Sequence, residues 1–138
     1  MFNVLSNINW FSVLIAFMVY FLLGALWYMR LFPQLYKESL GKANETLQNQ
    51  SALYVAGPGL CVLVMVVASA ILLYALGIDS YGAALMFALI VGVGFLVSNT
   101  TNIAINPNIP RPFLYSFITS SYHLVGITLT SLILVAMR

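Results

Sequence analysis

Apolar residues in this chain come in four long runs separated by short polar ones, over residues 8–29, 51–77, 81–105 and 112–137. Each run reaches the about 20 residues that carry a helix across the hydrocarbon of a bilayer. The ionisable side chains respect the same division. Arg30, Lys37, Glu38, Lys42, Glu45, Asp79, Arg111 and Arg138 all fall between or beyond the runs, as expected when a charge at the bilayer centre costs at least about 2.5–3.5 kcal/mol. The pattern predicts an all-α, polytopic integral membrane protein: a bundle of four transmembrane helices forming a single membrane domain over residues 1–138. Residues 1–9 carry no Lys or Arg, and the run that follows is too long for a secretory signal, so the first run is expected to remain as a span.

The connections carry their own signals. In the long first one, Pro33 followed by Leu35, Tyr36, Leu40 and Gly41 predicts a short helix lying in the interface. Asn44 is placed to cap the second span, which would then begin in the headgroup region before Ala52. Pro58, between Gly57 and Gly59, removes a backbone donor inside that span and is expected to kink it. Gly77, Ile78, Asp79 and Ser80 form a tight turn that predicts an antiparallel hairpin of the second and third spans. Pro107, Pro110 and Pro112 keep the third connection from being helical.

Composition sharpens the class. Hydrophobic residues make up 62% of the chain and charged ones 6%, which excludes disordered, collagen-like and disulfide-stapled chains. The net charge of +2 is too small, and too confined to loops, for nucleic-acid binding. It reads instead as an orienting bias. Arg30, Lys37, Lys42 and Arg111 lie in the first and third connections, so loops 30–50 and 106–111 are expected to be cytoplasmic and both termini outside, in a bacterial plasma (inner) membrane. Trp27, Tyr28, Arg30 and Arg111 are the expected interface anchors. Cys61 cannot form an intrachain disulfide and reads as a small hydrophobe.

Small residues mark helix contacts: Ser12, Ala16, Tyr20, Gly24 and Tyr28 follow one face of the first span, and Ala84, Ala88 and Gly92 one face of the third. Self-association into a homo-oligomer is expected through one of these faces. Polar residues concentrate where the third span ends (Ser98, Asn99, Thr100, Thr101, Asn102) and the fourth begins (Ser116, Thr119, Ser120, Tyr122, His123). Ser116, Ser120, His123, Gly126 and Thr130 share one helix face. Asn99, Asn102, Ser116, Ser120, Tyr122 and His123, with Tyr54 at the same depth, are therefore the candidate ligand or solute-binding residues, facing the bundle interior. His123 is read either as a neutral imidazole bonded between helices or as a proton-responsive group. One His without a neighbouring carboxylate or Cys gives too few ligands for a metal, and no nucleophile elbow or oxyanion hole is present. No cofactor and no enzymatic activity are expected.

Asn9-Trp10 at the start of the first span, Gly24-Ala25-Leu26-Trp27-Tyr28 at its end, Gly92-Val93-Gly94-Phe95, Arg111-Pro112 and Tyr122-His123 give the chain a family likeness. It resembles the bacterial membrane family catalogued as domain of unknown function 1761 over almost its whole length. The resemblance implies a small four-helix integral membrane protein and no particular reaction. The chain departs from the family in the third connection, where Asn106-Pro107-Asn108 replaces an aromatic and acidic stretch, so no role of that acid carries over. Two functional classes fit: an ion or small-solute permeation or binding unit acting as an oligomer, and a non-transporting membrane scaffold whose protein partner is unknown. Small four-helix drug antiporters carry a membrane-embedded Glu, and this chain has none.

Overall fold

The computed structural model describes residues 2–45 and 51–138. Four helices are long and apolar enough to cross a membrane: α1 (Trp10–Leu31), α3 (Leu53–Ala75), α4 (Tyr81–Ala104) and α5 (Pro112–Ala136). A short helix, α2 (Pro33–Ser39), follows α1 with Pro33 in its first turn. The protein is a multi-pass, all-α membrane protein.

Local chemistry fixes the helix ends. Asn9 caps α1, its side-chain oxygen accepting from the N–H groups of Phe11 and Ser12 at 3.1 and 3.4 Å. Its amide also donates to the Met137 carbonyl at 2.6 Å, tying the start of α1 to the end of α5. Gly41 and Gly77 adopt φ of 71° and 66°, the left-handed region that closes a helix without a Cβ clash. After α3, Ile78 N–H donates to the Leu73 carbonyl at 3.0 Å and Gly77 N–H to that of Tyr74 at 3.2 Å; after α2, Lys42 and Gly41 repeat the pair on Lys37 and Glu38. Both are Schellman closures. Ser80 starts α4 by accepting from Ala83 N–H at 3.3 Å.

The described helix of the second span does not start at the expected Asn44 cap, whose N–H partners at 46 and 47 lie outside the described residues. Asn44 lies in a turn, α3 begins at Leu53, and Ser51 Oγ accepts from Leu53 N–H at 3.3 Å. Residues 46–50, which that cap would have bridged, lie outside the described residues. α3 runs through Pro58 as one helix.

α5 is the axis of the fold. It packs on α1, on α3, on α2 and along the length of α4, whereas α4 finds no comparable contact with α1 or α3. The expected α3–α4 hairpin is thus corrected: a tight turn joins the two helices, but each packs on α5 rather than face to face. The core lies between α1, α3 and α5, where Ala16, Tyr20, Val66 and Ala70 have no exposed surface. Outward side chains such as Leu22, Leu60, Met86 and Phe117 are exposed apolar groups that meet lipid.

The small-residue faces are also corrected as association surfaces. Ser12, Ala16, Ala84, Ala88 and Gly92 are buried against the chain's own helices. A Cβ on Gly92 would stand 2.6 Å from Leu124 Cδ1, so this glycine lets α4 approach α5.

Two stretches depart from α-helical pitch, Trp27–Leu31 and Gly92–Val97, both π-helical. In the first, Phe32 N–H reaches back five residues to the Trp27 carbonyl at 2.9 Å. In the second, Ser98 uses both its N–H and its hydroxyl on the Val93 carbonyl, the latter at 2.9 Å. A π turn widens the helix and shifts the register of everything beyond it. The buried positions of α4 run Ala84, Phe87, Ala88 and Gly92 before the π turns and Thr100 and Ala104 after them, eight residues from Gly92 to Thr100 where a plain α-helix would bring position 99 inward.

Candidate functional site

Tyr20 and His123 stand at the midpoints of α1 and α5, and therefore at mid-bilayer depth. Tyr20 Oη lies 2.8 Å from His123 Nδ1 and 3.4 Å from the His123 carbonyl oxygen. Two proton arrangements satisfy this geometry. With the imidazole proton on Nε2, the phenol donates to Nδ1. With it on Nδ1, the ring donates to Oη and the hydroxyl turns to the carbonyl. His123 is half-buried, and Nε2 has no hydrogen-bond partner among the described residues.

The pair exists because Gly126 leaves room for it. Tyr20 is fully buried with its ring close against α5 at Gly126, where a Cβ would stand 2.0 Å from Tyr20 Cε2. From here a file of aromatic rings leads toward α2. Tyr122 lies 4.8 Å from His123, 5.3 Å from Tyr20 and 5.4 Å from Tyr28 between ring centroids. Tyr28 meets Tyr36 at 4.9 Å, and Tyr36 meets Tyr115 at 5.9 Å. Trp27 joins beside Tyr122 at 6.4 Å and donates from Nε1 to the Ile118 carbonyl at 3.0 Å. Burial, and secondarily the neighbouring Tyr115, pushes the Tyr36 phenol up to about 12.

A second polar group lies between α4 and α5. Thr101 and Ser116 share a hydrogen bond at 2.6 Å, and Ser116 continues to Ser120 at 3.4 Å. These serines floor a lateral groove of about 360 Å³ whose walls include Val97, Phe113, Phe117 and Leu124. A wholly apolar groove of about 500 Å³ runs between α1 and α3, along Phe17, Phe21 and Gly59. The Thr119 and Thr130 hydroxyls are buried without a hydrogen-bond partner among the described residues.

Ser116, Ser120 and Tyr122 are buried and His123 half-buried, all on the inner side of α5. Three expected interior residues are elsewhere. Asn99 and Asn102 are exposed, because the π turns over Gly92–Val97 carry Thr100 and Thr101 inward in their place. Tyr54 is 63% exposed, about 110° round α3 from the buried stripe of Gly59, Val62 and Val66. Of the four expected interface anchors, Trp27 and Tyr28 instead pack inward on Tyr122. Arg30 and Arg111 are exposed, Arg111 pairing with Glu38 at 3.3 Å.

Sequence reasoning missed Tyr20 as the histidine's partner, although a tyrosine interrupting a stripe of small residues was visible. Among the described residues no three His, Cys, Asp or Glu side chains come together to hold a metal ion. The sequence matches the family described as "Protein of unknown function (DUF1761)" over residues 11–135. No curated protein and no solved structure matches the chain.

Proposed function

The chain belongs to that family of unknown function, and from its own geometry we infer a membrane-embedded, proton-responsive binding unit centred on Tyr20 and His123. The observation that carries this reading is the 2.8 Å contact at mid-bilayer, with a half-buried imidazole whose second nitrogen has no partner among the described residues. Intramembrane ionisable groups are costly, and one that has a switchable hydrogen bond can change state when a proton or ligand arrives. The ligand class is a membrane-soluble molecule with a single carbonyl or hydroxyl, able to bond Nε2.

Binding is favoured over permeation by packing. Tyr20, Val66, Ala70 and Leu73 fill the centre between α1, α3 and α5, and the two grooves open sideways rather than along the bundle axis.

The test is binding in nanodiscs, read on the 15N signals of the sole histidine. Long-chain alcohols and ketones should move the His123 signals saturably, while liposomes containing the protein stay tight to ions. Ion flux through liposomes with an unresponsive histidine would replace this reading with permeation, and neither effect would favour the scaffold role.

The orientation that accompanies this reading puts the basic connections in the cytoplasm of a bacterial inner membrane. In a Cys61→Ala background, Lys42→Cys should label only from inside and Asp79→Cys only from outside. Labelling of position 42 in intact cells would reverse the orientation.

A further inference from the structure

Asn99 and Asn102 stand three residues apart on the exposed side of α4, and neither carboxamide has a hydrogen-bond partner among the described residues. Their polar neighbours are satisfied within the chain, Ser98 by the Val93 carbonyl and Thr101 by Ser116. α4 has 24 residues, a length of about 36 Å against about 30 Å of hydrocarbon, so about 3 Å projects at each end. Asn102 then lies at the hydrocarbon boundary. Asn99 lies about 4–5 Å inside it, too deep for its short side chain to reach the headgroups.

We propose that this face of α4 is a homodimer interface, in which the Asn99 and Asn102 carboxamides of two copies hydrogen-bond to each other. A carboxamide carries both donors and acceptors and so is complementary to itself. Membrane insertion gives every copy the same orientation, so a two-fold axis must run along the membrane normal. That axis sets each asparagine opposite its own counterpart at equal depth.

The rest of the face suits close approach. Met86, Ile90, Gly94, Ser98 and Asn102 recur every fourth residue and are all exposed. A Cβ on Gly94 would meet nothing within 4 Å, leaving a flat spot where two α4 backbones can touch. Among the described residues α4 makes its extensive contacts with α5 alone, and the side of α4 turned away from α5 is exposed. The π turns that take Asn99 and Asn102 out of the bundle thereby create the surface.

The experiment uses full-length protein reconstituted in phosphatidylcholine vesicles. In a Cys61→Ala background, Ser98→Cys should form a disulfide dimer on oxidation, whereas Leu22→Cys on α1 should remain monomeric. Energy transfer between labelled copies should show dimer dissociation rising about tenfold in Asn99→Leu/Asn102→Leu, since interhelical polar contacts each contribute modestly. Asn99→Gln/Asn102→Gln should restore most of the association. Unchanged His123 15N signals in the leucine variant would establish that the bundle is intact. Failure of Ser98→Cys to crosslink, or a leucine variant that dimerises like the wild type, would overturn the proposal. So would a monomer whose asparagines respond instead to a change of lipid headgroup.

Discussion

A methyl group at position 126 would stand 2.0, 2.3 and 2.4 Å from three ring atoms of Tyr20. Carbon atoms in contact sit about 3.5–4.0 Å apart, so something must yield by about 1.5 Å. The ring cannot swing aside, because Tyr20 has no exposed surface and Tyr122 lies against it at 5.3 Å. In Gly126→Ala, α1 and α5 must therefore separate. A shift of that size takes the 2.8 Å contact between Tyr20 and His123 beyond hydrogen-bonding range. Overpacking of this kind costs about 1–3 kcal/mol, and the lost interhelical bond about 0.6 kcal/mol. The better helix propensity of alanine returns about 1 kcal/mol. The net expectation is destabilisation by about 0.6–2.6 kcal/mol, measured by titrating mixed micelles with dodecyl sulfate and following helix content. Gly82→Ala, also in a helix but where an added Cβ meets nothing within 4 Å, is the control and should leave stability unchanged or raise it by up to about 1 kcal/mol. A Gly126→Ala protein as stable as the wild type, with the histidine 15N signals unmoved, would refute the close packing from which the site is built.

Two further predictions concern the second polar group and the basic end. Ser116→Ala removes the 2.6 Å bond to Thr101 and should cost about 0.5–1.5 kcal/mol in the same titration, while Ser121→Ala, whose hydroxyl bonds only within its own helix, should cost less. The Tyr36 phenol, outside the spans, is pushed up to about 12 by burial. Because the folded state favours the neutral phenol, this contribution to stability is fully present below the ordinary tyrosine pKa of about 10 and is lost as pH rises through about 12. Tyrosinate absorbance, compared with Tyr36→Phe, should show Tyr36 ionising near pH 12; ionisation near pH 10 with α2 still docked would contradict it.

Length and hydropathy made the four spans legible, because a bilayer admits few alternatives to apolar helices of this length. Pro33 and Gly41 marked the short helix, and Gly77 the tight turn after the second span, for equally local reasons. The inward stripe of Ser116, Ser120, His123 and Gly126 was readable from helical spacing on a single element. What escaped was register across elements. The π turns over Gly92–Val97, which no spacing rule on α4 reveals, shift the register beyond them and turn Asn99 and Asn102 outward. The small-residue faces identified helix contacts correctly in kind, but those contacts lie within the chain. Tyr20 and His123 are 103 residues apart, and only the fit of a ring over Gly126 brings them together.

The central claim is that His123 forms a switchable, proton-responsive pair with Tyr20, and a 15N titration of the single histidine in bilayers between pH 5 and 9 tests it most directly. The ring should be neutral and bonded through Nδ1 at the alkaline end and carry protons on both nitrogens toward the acid end. Tyr20→Phe should change the midpoint and the tautomer balance. One neutral tautomer throughout that range, identical in wild type and Tyr20→Phe, would contradict the claim and reduce His123 to a packing residue.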